Sequence, residues 1–111
     1  MIRSAAFVAC LLAFPGAGLA HQLVVFASVD CETLTVEAKF ANGKVAKQGD
    51  VRVLDGDNAL LTTLPLEENG TAQLPLSSVD HSGGLVVEVD TGGHDDFWII
   101  TPEDIARNCG S

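Results

Sequence analysis

The chain is poor in several residue types that most domains use freely: its 111 residues include no tyrosine, one tryptophan, one methionine, three cysteines and three histidines. Positive charge is scarce as well, with six lysines and arginines against fifteen aspartates and glutamates. Such a surface repels nucleic acid and anionic lipid and favours cationic partners. Long apolar runs are missing. The longest, Ala5 to Phe14, reaches about half of the roughly 20 residues a membrane span requires, and it stops at Pro15 and Gly16. No repeat, no low-complexity tract and no motif for nucleophilic or acid–base catalysis is found, which argues against an enzyme.

What is present begins with an export signal. Arg3 supplies a basic start, Ala5 to Phe14 the apolar stretch, and Gly16-Ala17-Gly18-Leu19-Ala20 a small-residue exit. Cys10 lies inside the apolar run rather than after it, which argues against a lipoprotein. Residues 1–20 therefore read as a cleavable signal peptide and residues 21–111 as one periplasmic or secreted domain with a single core and no permanent membrane anchor. Cleavage after Ala20 places Gly18 and Ala20 at the positions where the peptidase needs small side chains, and leaves His21 first. A free α-amine and an imidazole on one residue can chelate a transition metal. Cleavage after Ala17 would leave three residues ahead of His21 and abolish that chelate. The processed chain would carry five basic against fifteen acidic residues, a formal net charge of −10.

Two cysteines, Cys31 and Cys109, survive processing, and an oxidising compartment makes a disulfide between them the default. Its loop would enclose nearly the whole domain, worth about 4 kcal/mol in the chain-entropy account. A thiolate metal site is the competing reading, disfavoured by the wide separation.

Short β-like runs alternate with turn signals along the rest. Leu23 to Ser28 is apolar and β-branched, and Thr33 to Phe40 alternates so that Leu34, Val36, Ala38 and Phe40 face a core. Val51 to Asp55 and Ala59 to Leu64 flank the tight turn Asp55-Gly56-Asp57-Asn58. Thr71 to Leu76, Leu85 to Asp90 and Asp95 to Thr101 complete seven strands, with Asn42-Gly43, Asn69-Gly70 and Gly92-Gly93 as punctuation. The spacing predicts an all-β, antiparallel immunoglobulin-like or prealbumin-like sandwich. Pro102 to Arg107 reads as a short C-terminal helical turn capped by Thr101, ending at Asn108 and presenting Cys109.

Among candidate sites, Asn69-Gly70-Thr71 matches a glycosylation acceptor but reads as hairpin punctuation, and the Asp55 to Asn58 cluster lacks the spacing of a calcium loop. Phe97-Trp98-Ile99-Ile100 is an uninterrupted apolar run of the kind found in strands buried on both faces, so Phe97 and Trp98 join Phe40 and Val36 as expected core residues. His81 sits in a polar loop that needs no ligand to explain it. His94 is set differently: Gly92-Gly93 lets the backbone approach closely, and Asp95-Asp96 follow at the mouth of the last strand. If first and last strands are neighbours, His21 and His94 come together.

Three stretches then carry a resemblance: His21-Gln22-Leu23-Val24-Val25-Phe26-Ala27, Gly43-Lys44-Val45-Ala46-Lys47 leading into Val51 to Asp55, and Gly93-His94-Asp95-Asp96-Phe97-Trp98-Ile99-Ile100. Together they resemble the small extracytoplasmic proteins of bacterial nickel and cobalt uptake systems of the energy-coupling-factor type. The resemblance implies a carboxypeptidase-regulatory-like sandwich accompanying membrane transporter subunits, with His21 and His94 as metal contacts. Many relatives end in a hydrophobic helix, whereas this chain stops at Cys109-Gly110-Ser111, a departure that argues against permanent attachment and leaves open a diffusing donor or a reassigned role.

Nickel and cobalt accept nitrogen and oxygen donors, so an amine, two imidazoles and a carboxylate from Asp95 or Asp96 form a suitable set. Copper would bind the same set more tightly, which keeps open a periplasmic copper carrier with an N-terminal histidine. A metal-free interaction module is the third reading.

Overall fold

Strict alternation makes the first two strands. In β1 (Leu23–Val29) and β2 (Thr33–Phe40) every second side chain is buried, and an antiparallel register from Leu23 opposite Phe40 to Val29 opposite Leu34 aligns the apolar faces. The chain is seen in a computed structural model that describes residues 22–109; residues 1–20, read above as a signal peptide, and His21 lie outside the described residues. The remaining elements are β3 (Asp50–Asp55), β4 (Leu60–Pro65), β5 (Thr71–Pro75), β6 (Leu85–Asp90), β7 (Asp95–Ile100) and helix α1 (Pro102–Asn108), with a single 3₁₀ turn at Leu76–Ser78.

The strands form two antiparallel sheets, β1-β2-β5 and β4-β3-β6-β7, as the all-β sandwich reading expects. The outline is immunoglobulin-like, except that β4 pairs with β3 on the larger sheet. Inward rows from both sheets, including Val25, Leu34, Val36, Val51, Val53, Leu85, Val87 and Val89, make one core with at most 2 % exposure each. Phe40 packs against its rim half-buried.

Three turns close hairpins and three links cross between sheets. At Asp55-Gly56-Asp57-Asn58 the Asp55 carboxylate accepts the Asp57 and Ala59 amides at 2.8 and 2.9 Å, which accounts for the aspartate as a turn residue. Asn69-Gly70 turns the chain too, but the hairpin expected there does not form, because β4 belongs to the larger sheet and β5 pairs with β2. Gly70 has φ +83°, and a Cβ there would stand 2.8 Å from the Ala38 carbonyl, so only glycine fits.

The helix begins with a reciprocal capping box: the Thr101 hydroxyl accepts the Asp104 amide at 3.1 Å and the Asp104 carboxylate accepts the Thr101 amide at 3.0 Å. Ile105 anchors the helix in the core, and its last turn carries Cys109 to Cys31. The two form the expected disulfide, with Cα atoms 4.5 Å apart across 78 residues of sequence. Asp30 prepares the other end by accepting the Glu32 and Thr33 amides, a turn that holds Cys31 at φ +89°.

One expectation is overturned. Phe97 and Trp98 are not core residues: Phe97 and Ile99 are each 55 % exposed and Trp98 39 %, with only Ile100 of the run buried. The reason is position. β7 pairs with β6 alone, so it is an edge strand, and no layer covers the outer face of its sheet among the described residues.

Candidate functional site

β1 and β7 are the edge strands on the same side of the sandwich, one from each sheet, and they meet along a seam without a backbone ladder. Two side-chain contacts join them. The Val25 amide donates to the Asp96 carboxylate at 3.1 Å, and the Trp98 ring meets Phe26 edge to face with centroids 5.0 Å apart. The strands run in the same direction, because Val25 meets Asp96 and Phe26 meets Trp98. Their starting ends therefore lie at one end of the domain.

His94 sits at that end. It precedes β7, and its carbonyl accepts from the Thr91 amide at 2.9 Å and the Thr91 hydroxyl at 3.2 Å, which fixes the β6–β7 turn. Its exposed ring lies edge to face on Phe40 at 5.6 Å between centroids. Phe40 is the register partner of Leu23, and the Gln22 carbonyl accepts the Ala41 amide at 2.8 Å. The described chain thus enters β1 next to the ring that holds His94, one residue after His21.

The two aspartates after His94 have separate fates, because successive strand residues face opposite ways. Asp95 lies on the outer face opposite Asp90, whereas Asp96 lies opposite buried Val89 and is engaged by Val25. Among the described residues no three His, Cys, Asp or Glu side chains converge as a metal would require. Within the described residues His94 and its neighbours make only a partial donor set for a metal. His81 is remote, its Nδ1 3.0 Å from the Val79 carbonyl in its own loop.

A groove of about 780 Å³ also opens at this end, between the β2–β3 link and the β6–β7 turn. Its walls include Phe40, His94 and Thr91 with Lys44, Lys47 and Gln48. Sequence reasoning missed the two lysines, although a signal was there: the only three lysines of the chain fall within residues 39–47. It also missed the outer face of the larger sheet. There Arg52 pairs with Glu88 at 2.6 Å beside the aligned Asp50, Asp90 and Asp95, with Phe97 and Ile99 exposed next to them.

Comparison with known protein families, with curated proteins and with solved structures finds no match to this chain. Among the described residues no helix is long and apolar enough to cross a membrane, and the disulfide is compatible with an extracytoplasmic location.

Proposed function

We propose that the protein is an exported metal-binding protein of nickel or cobalt uptake, with the processed His21 and His94 as nitrogen donors. The observation that carries the reading is the seam: β1 and β7 run side by side in one direction, and His94 packs on the aromatic ring opposite Leu23. Leu23 and His94, far apart in sequence, thereby stand on either side of the Phe40 ring, which supports the reading. The amine and imidazole of a first-position His21, with the His94 imidazole, would supply three nitrogens to a borderline metal ion. Asp95 is the carboxylate left available, since Asp96 serves the Val25 amide. Binding by such donors weakens on acidification, because protons compete for the nitrogens.

Titration of nickel, cobalt and copper into the exported protein, followed by imidazole NMR signals, tests the reading. Both histidines should respond, and a form with one extra residue ahead of His21 should lose most of the affinity. If neither histidine responds to any of the ions, the metal role is excluded. A response to copper alone would move the assignment to a copper carrier. A second reading, an interaction module without metal, draws on the exposed Phe97, Ile99 and Leu60 of the larger sheet.

A further inference from the structure

The positive charge of this acidic chain is sorted. Arg52 is paired with Glu88 and Arg107 with Asp104, so both arginines within the described residues have carboxylate partners. The lysines do not: among the described residues none of Lys39, Lys44 and Lys47 forms an ion pair. Two of them, Lys44 and Lys47, line the same groove of about 780 Å³. In a chain with fifteen acidic residues, two lysines without an ion pair lining one concavity are a local concentration of positive charge.

We infer that this groove is a binding site for a small di- or tricarboxylate anion. Lys44 and Lys47 would neutralise its carboxylates, and Gln48, which also lines the groove, carries an amide that can donate to them. Phe40 gives the carbon skeleton an apolar wall, and the His94 ring packed on Phe40 closes one side. The volume falls within the range of roughly 300–1,000 Å³ typical of small-ligand pockets. The concave shape favours a compact anion over an extended polyanion, which the surrounding acidic surface would repel at long range. Nothing in this inference requires a metal.

The test uses citrate as the probe and the exported protein as the target. Citrate should give saturable NMR shifts at Lys44, Lys47, Phe40 and His94, weakening as salt is raised. Lys44→Ala with Lys47→Ala should weaken binding at least about tenfold, whereas arginine at both positions should retain it. Lys39→Ala changes the net charge by one unit outside the groove and should leave binding unaltered; a dispersed amide spectrum verifies that each variant is folded. The inference is overturned by no saturable shift up to about 10 mM citrate, or by equal affinity in the double alanine variant. Nickel is titrated separately without citrate, so the metal reading stands or falls on His21 and His94 while the anion site is judged on the lysines.

Discussion

The Asp96 carboxylate holds the Val25 amide at 3.1 Å, so a side chain of the last strand caps the open edge of the first. An edge strand exposes unpaired donors that invite foreign strands, and Asp96 occupies one of them. A charged acceptor on a part-buried amide is worth about 1.5–3 kcal/mol, and removing it leaves the donor unsatisfied. Asp96→Ala should therefore lower stability by about 1–3 kcal/mol in urea denaturation, with Asp96→Asn losing less because its carbonyl still accepts. Asp95→Ala, on the outer face opposite Asp90, should cost nothing or even stabilise by relieving like-charge repulsion. Equal losses for the two alanine variants would show that Asp96 does not clasp the seam.

The Cys31–Cys109 bond acts on a different part of the same problem, tying the end of α1 to the β1–β2 turn. Ile105 is the buried residue of that helix, so apolar packing alone holds it weakly. Replacing both cysteines by serine should cost about 4 kcal/mol in the chain-entropy account. It should also let the helix exchange its amides faster than the sheets. Thermal denaturation and hydrogen exchange check the two parts; a fully protected helix in the reduced protein would mean that packing, not the bond, secures it.

The strands were legible because one face of each sheet is buried and period-two alternation records it: Leu34, Val36 and Ala38 are buried where the pattern puts them. The helix was legible for a local reason too, since Thr101, Pro102 and Asp104 carry their own capping chemistry. Pairing was not. Asn69-Gly70 specifies a turn whether the next strand joins the same sheet or the opposite one, and here it crosses. Phe97 to Ile100 misled because an apolar run has the same composition at a buried centre and at an uncovered edge. The candidate site was half visible: His94 stood out by its neighbours, but Lys44 and Lys47 gain meaning only when β2 and the β6–β7 turn come together around them.

That edge position separates neighbouring residues energetically. Ile100 is 2 % exposed and should cost about 2–5 kcal/mol as alanine. Phe97 and Ile99, 55 % exposed, should each cost well under half of that as threonine, a good strand former. Urea midpoints of the three variants decide the matter. A loss at Phe97 as large as at Ile100 would restore the doubly buried strand. If the outer face serves a partner, the Phe97 and Ile99 variants would lose that association while keeping their stability.

Lys44 and Lys47 bear on the metal role with the opposite sign to the anion. Two ammonium groups in the groove that holds His94 repel a bare dication. The double alanine variant should thus bind nickel more tightly while binding citrate more weakly, and high salt should shrink both differences. Calorimetric titration of each ligand reads the two signs. Nickel affinity that falls in this variant would mean that the lysines support the metal through structure rather than oppose it through charge.

Acid should weaken the turns before it reaches the core. The Thr33 and Glu32 amides hold the Asp30 carboxyl below the ordinary value of 3.8, the Ser82 amide and hydroxyl do the same for Asp80, and the Thr101 amide and hydroxyl, with Arg107, for Asp104. A carboxyl whose pKa is depressed by folding stabilises fully above its unfolded value, and the contribution disappears as pH falls through the folded one. Stability should accordingly be level near neutrality as far as these groups are concerned and decline below pH 3.8. Asp30→Asn and Asp104→Asn should start lower at neutral pH and show a shallower acid decline, because each removes one proton-linked interaction. Urea midpoints between neutrality and strong acid measure the slopes. Parallel slopes in wild type and both variants would locate the acid sensitivity in other groups.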